Sequence, residues 1–77
     1  MDLKELRARI DGIDSQLLKI LSERREAVRE VIATKIAGDL PLRDPLREEE
    51  LLARLIAKGR QFGLDAHFVT RVFHEIL

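Results

Sequence analysis

A chain of 77 residues makes one small domain, whose own core is marginal unless disulfides, metal or a second chain add to it. The absence of cysteine excludes a disulfide framework and thiolate metal sites, leaves assembly as the source of extra burial, and suits a cytoplasmic setting. Fourteen basic residues balance fourteen acidic ones, and aromatics make up 4% with no Trp or Tyr, so a nucleic-acid partner is not expected.

The chain order gives three helices, one long and two short, and an all-α fold. The first starts at "DLKE", where Asp2 can cap and Glu5 can reach back as in a capping box. Apolar residues then recur with a helical period at Leu6, Ile10, Ile13, Leu17, Ile20, Leu21, Val28 and Val31. Gly38 supplies the expected C-terminal cap, and Pro41 confirms the break. The second helix starts at "DP", with Asp44 as N-cap and Pro45 in the first turn. Leu52, Leu55 and Ile56 form its buried face, with Leu51 beside it. Gly63 ends it, and Asp65 caps the third helix, whose apolar face holds Phe68 or Val69, then Val72, Phe73 and Ile76. No apolar run approaches the roughly 20 residues of a membrane span. The start "MDLKELRARID" lacks the apolar segment of a signal peptide, so no membrane partner is expected.

The first helix is long for its domain. About 35 residues at 1.5 Å each reach roughly 50 Å, whereas a compact domain of this size is only about 30 Å across. Two short helices do not cover such a stripe. The mismatch predicts an intertwined homodimer in which a second copy lays its long helix alongside. The competing reading, a helix that kinks back, has only Gly12 as a hinge, and one glycine costs about 1 kcal/mol in a helix.

The stripe also contains charge. At 100° per residue, Leu6, Ile10, Ile13, Leu17, Val28 and Val31 lie within about 40° of Arg24, and Lys35 lies about 20° from it. Arg7 and Arg25 fall about 100° off on the flank, and Arg29, about 140° away, is expected in solvent. A buried unpaired cation is costly. Arg24 and Lys35 therefore snorkel outward, pair with carboxylates to set helix register, or face a cavity that holds an anion.

The segment "LRDPLREEE" adds Arg43, Asp44, Arg47 and Glu48 around the start of the second helix, whose free N–H groups and dipole favour anions. A short loop after Lys35 lets this start fold back over the first helix. Asp44 also reads as a plain N-cap, and Arg47 and Glu48 as a solvated charge face. Arginines matched to carboxylates, a lysine point charge and one acidic acceptor together suit a small dicarboxylate that carries a hydroxyl. Other chemistries lack their residues. Ser15 and Ser22 have no histidine at helical spacing, His67 and His74 read as surface or boundary residues, and there is neither a metal motif nor a Gly-rich phosphate loop. A site of fixed cations implies catalysis by positioning and electrostatics.

The ordered segments "LRARIDGIDSQLLKILSERREAVREVIATK", "PLRDPLREEELLARL" and "GLDAHFVTRVF" resemble the all-α chorismate mutases, most closely the type found as the N-terminal domain of bifunctional chorismate mutase–prephenate dehydratases. The similarity covers essentially all of residues 1–77, read as a single helical domain. It implies an intertwined dimer that rearranges chorismate to prephenate, a step of phenylalanine and tyrosine biosynthesis, with no cofactor and no metal. It leaves open a prephenate dehydratase domain fused in a longer chain.

The resemblance also implies roles. Arg24 holds one substrate carboxylate, and Arg7 reaches across the dimer to the other in the partner's site. Lys35 hydrogen-bonds the ether oxygen, Glu48 and the backbone near Asp44 take the ring hydroxyl, and Arg47 supports the carboxylate cluster. In the family the third helix continues past the position of Leu77, with a serine on a carboxylate and a glutamine that shares the ether oxygen. Neither residue occurs here, so the reading expects a third helix cut short, in a trimmed domain, a fragment that needs a partner or a variant with weak activity, since one lost donor of this kind costs about 100- to 1,000-fold in rate. Isochorismate-pyruvate lyase, with the same fold and a similar cationic pocket, is the enzymatic alternative. A helical dimerisation or regulatory module is the non-catalytic one, and a charge-striped coiled coil without a pocket is the plainest.

Overall fold

An aspartate opens every helix. Asp2, Asp44 and Asp65 each turn a carboxylate oxygen back onto the N–H three residues on, accepting from Glu5 at 2.8 Å, Arg47 at 3.1 Å and Phe68 at 3.1 Å. Each bond satisfies one of the donors a helix start leaves without a partner. The computed structural model describes all 77 residues as α1 (Leu3–Ala37), α2 (Pro45–Gln61) and α3 (Ala66–Ile76), with no strand. The all-α expectation holds, as do all three N-caps. The capping box of α1 forms by half: Asp2 caps Glu5, with no return bond from the Glu5 side chain. No helix is long and apolar enough to cross a membrane.

The chain divides into two units, Met1–Leu42 and Arg43–Leu77. The first is α1 and its C-terminal turn. The helix runs without interruption through Gly12 for 35 residues, about 50 Å at 1.5 Å per residue. None of its residues is fully buried. The stripe predicted to face a partner is open along its length: Leu6 is 41% exposed, Ile13 51%, Leu17 52% and Val31 52%.

The C-terminal turn of α1 has the glycine cap that was expected, and its left-handed residue lies one position further on. Gly38 is the C-cap but keeps an ordinary φ of −90°, and the left-handed residue is Asp39, at φ 52°. The Leu40 N–H returns to the Lys35 carbonyl at 2.8 Å and the Asp39 N–H to the Ile36 carbonyl at 3.2 Å. This is the paired bonding of a Schellman turn, which needs its left-handed residue one position after the cap. That position holds an aspartate, which tolerates the conformation better than most side chains.

In the second unit, α2 packs on α3. Leu51, Leu52, Leu55 and Ile56 of α2 and Phe73 and Ile76 of α3 are half-buried, and Val69 is buried at 4% exposure. The choice left between Phe68 and Val69 thus falls to Val69, with Phe68 51% exposed. The tightest approach is at Gly59, where an added Cβ would lie 2.7 Å from Val69 Cγ2. Only glycine lets the α2 backbone come so near. Four residues later Gly63, at φ 78°, ends α2 as expected, with the Leu64 N–H on the Gly59 carbonyl at 2.9 Å.

Candidate functional site

On α1, three residues are withdrawn from full exposure: Leu21, Arg24 and Lys35. Two of the three are the cations that the periodicity set in the apolar stripe. Neither is in an ion pair, because the chain's one salt bridge joins Arg29 to Glu26 at 3.2 Å, both well exposed. Arg29 is thus in solvent, as its angle predicted, and the register reading for Arg24 and Lys35, which needs carboxylate partners, finds none within the chain. Lys35 Nζ donates to the Leu42 carbonyl at 3.2 Å. Arg7 is exposed and makes no hydrogen bond.

In the second unit, Asp44, Arg47 and Glu48 stand together at the start of α2, all exposed. The Asp44 carboxylate is occupied as an N-cap on the Arg47 N–H, and its carbonyl accepts the Glu48 N–H at 3.1 Å. Glu48 itself lines an open groove of about 580 Å³ with Pro45 and Leu52 of α2 and Thr70, His74 and Leu77 at the α3 side. Sequence reasoning missed this groove, because Glu48 and His74 lie far apart in the chain and only the α2–α3 packing brings them to one rim. His67 and His74 are both exposed. No group of three His, Asp or Glu side chains is gathered that would hold a metal ion.

Each unit therefore assembles its own share of the predicted residues: Arg7, Arg24 and Lys35 along α1, and Asp44, Arg47 and Glu48 in the first turn of α2. Permanent guanidinium and ammonium groups without carboxylate partners bind anions, arginine in a bidentate fork and lysine as a point charge.

These features define a class: an all-helical, cysteine-free chain whose candidate functional groups are fixed charges carried on helix faces. Within that class the chain belongs to the chorismate mutase type II family, whose model matches residues 6–77 and so runs across both units. It is 45% identical over 75 residues to the bifunctional chorismate mutase/prephenate dehydratase of Escherichia coli (strain K12), an alignment covering 97% of this chain and 19% of that protein. The corresponding bifunctional protein of Buchnera aphidicola subsp. Schizaphis graminum is 33% identical over 76 residues, 99% of this chain and 20% of the relative. The chorismate mutase of Methanocaldococcus jannaschii is 28% identical over 75 residues, 97% of this chain and 76% of the relative. The chain thus spans about a fifth of the length of the bifunctional relatives it matches.

Proposed function

We propose that this chain, as a homodimer, is a chorismate mutase that rearranges chorismate to prephenate by holding the substrate in its reactive shape. One observation carries the reading. Arg24 and Lys35 are half-buried in an apolar stripe without carboxylate partners, and a substrate with two carboxylates would supply the missing charge. Membership of the family supports it, and the relatives, which are named chorismate mutases, favour the mutase over the lyase.

In this reading Arg24 grips one carboxylate, and Arg7 from the partner subunit grips the other. Fixing both ends removes most of the substrate's internal freedom, which is the largest saving open to a one-substrate reaction. The ether C–O bond then breaks as a new C–C bond forms, and no proton changes hands. Negative charge grows on the ether oxygen as the bond lengthens. The Lys35 ammonium meets that charge where it is larger than in the ground state, and only such unequal contacts raise the rate. Glu48 and the backbone near Asp44 take the ring hydroxyl, and Arg47 supports the carboxylate cluster. A bifunctional setting with prephenate dehydratase, as the relatives' names describe, extends the proposal to a longer chain.

The test is loss of chorismate absorbance with the purified chain beside Lys35→Ala. Turnover that drops about 100-fold or more in the variant is expected, as for removal of a donor to a developing oxyanion. Equal rates in the two would overturn the reading. A chain lengthened by two to three helical turns with the family's serine and glutamine, assayed in parallel, separates a weak site from none.

A further inference from the structure

We infer that the turn closing α1 is a positioning device for Lys35, with the Leu42 carbonyl as the group that aims its ammonium. The inference rests on the mutase reading for its catalytic consequence. Its geometry stands apart from that reading.

The turn holds Lys35 at both ends. Its backbone carbonyl accepts the Leu40 N–H at 2.8 Å, and its side-chain Nζ donates to the Leu42 carbonyl at 3.2 Å. The chain must therefore double back within seven residues, and it does so at Asp39, the one non-glycine residue with positive φ. Gly38, just before it, has room for a side chain: an added Cβ would make ordinary contacts, 3.4 Å from the Thr34 carbonyl and 3.5 Å from Leu40 Cγ, so the constraint lies at Asp39.

A lysine side chain has many rotamers to lose when it meets a substrate. Here one of its three N–H donors is already engaged by a carbonyl of the same turn, which leaves two for an incoming acceptor. The carbonyl also carries no competing negative charge, so the ammonium keeps its full attraction for charge that develops on a substrate oxygen. A carboxylate in the same place would quench it. The Asp39 side chain makes no hydrogen bond, and its part is conformational.

Three variants and two readouts test this. Asp39→Val puts a β-branched residue where φ is positive, which opens the turn. Asp39→Gly keeps the turn without strain. The third replaces the Leu42–Arg43 amide by an ester through chemical ligation, which weakens the Leu42 carbonyl as an acceptor and alters no side chain. In substrate-free protein, the order of the Lys35 ammonium is read by nitrogen NMR relaxation. In the assay, kcat and KM for chorismate are read separately.

The expected result is a rigid ammonium in the parent and in Asp39→Gly, and a mobile one in Asp39→Val and in the ester. With it comes a fall in kcat of about tenfold to 100-fold in the latter two, as for a small misplacement of a catalytic group, with KM little changed. Asp39→Gly rescues kcat. A mobile ammonium in the parent, or parent kcat in the ester chain, overturns the inference, and the ester decides the matter if Asp39→Val fails to fold. If Lys35→Ala equals the parent in turnover, it is the mutase reading that has failed, and the NMR result still judges the geometry alone.

Discussion

Two cations on an apolar stripe are a defect in a coiled coil and an asset in a binding site. At Arg24 the alternatives give opposite signs. Arg24→Leu removes a half-buried charge from an apolar face, so the folded variant is expected to be as stable as the parent or more so. On the proposed mutase reading, in which Arg24 grips a substrate carboxylate, the same change is expected to lower kcat/KM roughly 30- to 1,000-fold. Thermal unfolding and the chorismate assay on one preparation check both. A stable variant with parent activity would leave the pocketless coiled coil as the better reading. Asp44 is a different case, since its carboxylate already serves the Arg47 N–H. Asp44→Ala is expected to lower stability by about 1 kcal/mol and Asp44→Ser, which keeps a cap, by only a few tenths. Urea unfolding measures the difference.

At the scale of elements, the α2–α3 pair turns on Gly59. A glycine inside a helix costs about 1 kcal/mol against alanine, so Gly59→Ala would stabilise an isolated α2. In the folded pair the new methyl lands 2.7 Å from Val69 Cγ2, on a side chain with little rotamer freedom. Overpacking of this kind costs about 1–3 kcal/mol, so net destabilisation is expected. Val69→Ala in the same chain removes the obstacle, and a double-mutant cycle by urea unfolding should show coupling of about 0.5–3 kcal/mol. Additive effects would mean that the helices slide apart to make room.

This contact also marks where the sequence stops being legible. The three aspartate caps could be read because an N-cap depends on residues three apart. Arg24 and Lys35 could be read because helical period alone gives their face. Gly59 could not, since its meaning comes from a residue ten positions on in another helix. The left-handed position at Asp39 was missed for a subtler reason. Which of two neighbours turns left depends on where the last helical hydrogen bond closes, which the cap at Gly38 does not by itself reveal.

For the whole molecule the question is how many chains make one site. None of the residues of α1 is fully buried, and its stripe is about half exposed at Ile10, Ile13 and Leu17. Dimerisation would account for that stripe, and it makes Leu17 informative. On a lone chain Leu17→Glu is a surface change, worth no more than about ±0.5 kcal/mol. In a dimer seam it buries a carboxylate, so sedimentation should show dissociation and the parent's Tm should rise with protein concentration.

A stronger test uses the proposed sharing of residues. If Arg7 serves the partner's site while Arg24 serves its own, Arg7→Ala and Arg24→Ala chains are each inactive alone, for both sites of each homodimer lack a cation. Exchange between them forms mixed dimers. In a mixed dimer one site combines the intact Arg24 of the first chain with the intact Arg7 of the second, and the other site carries both lesions. Random pairing makes about half the dimers mixed, each with one good site of two, so an equal mixture should regain about a quarter of the parent rate. If both arginines served the same chain's site, every site in every dimer would lack one of them and mixing would restore nothing. The recovered rate thus reports on dimer, trans contribution and cationic site together, in a measurement that needs no structure of the complex.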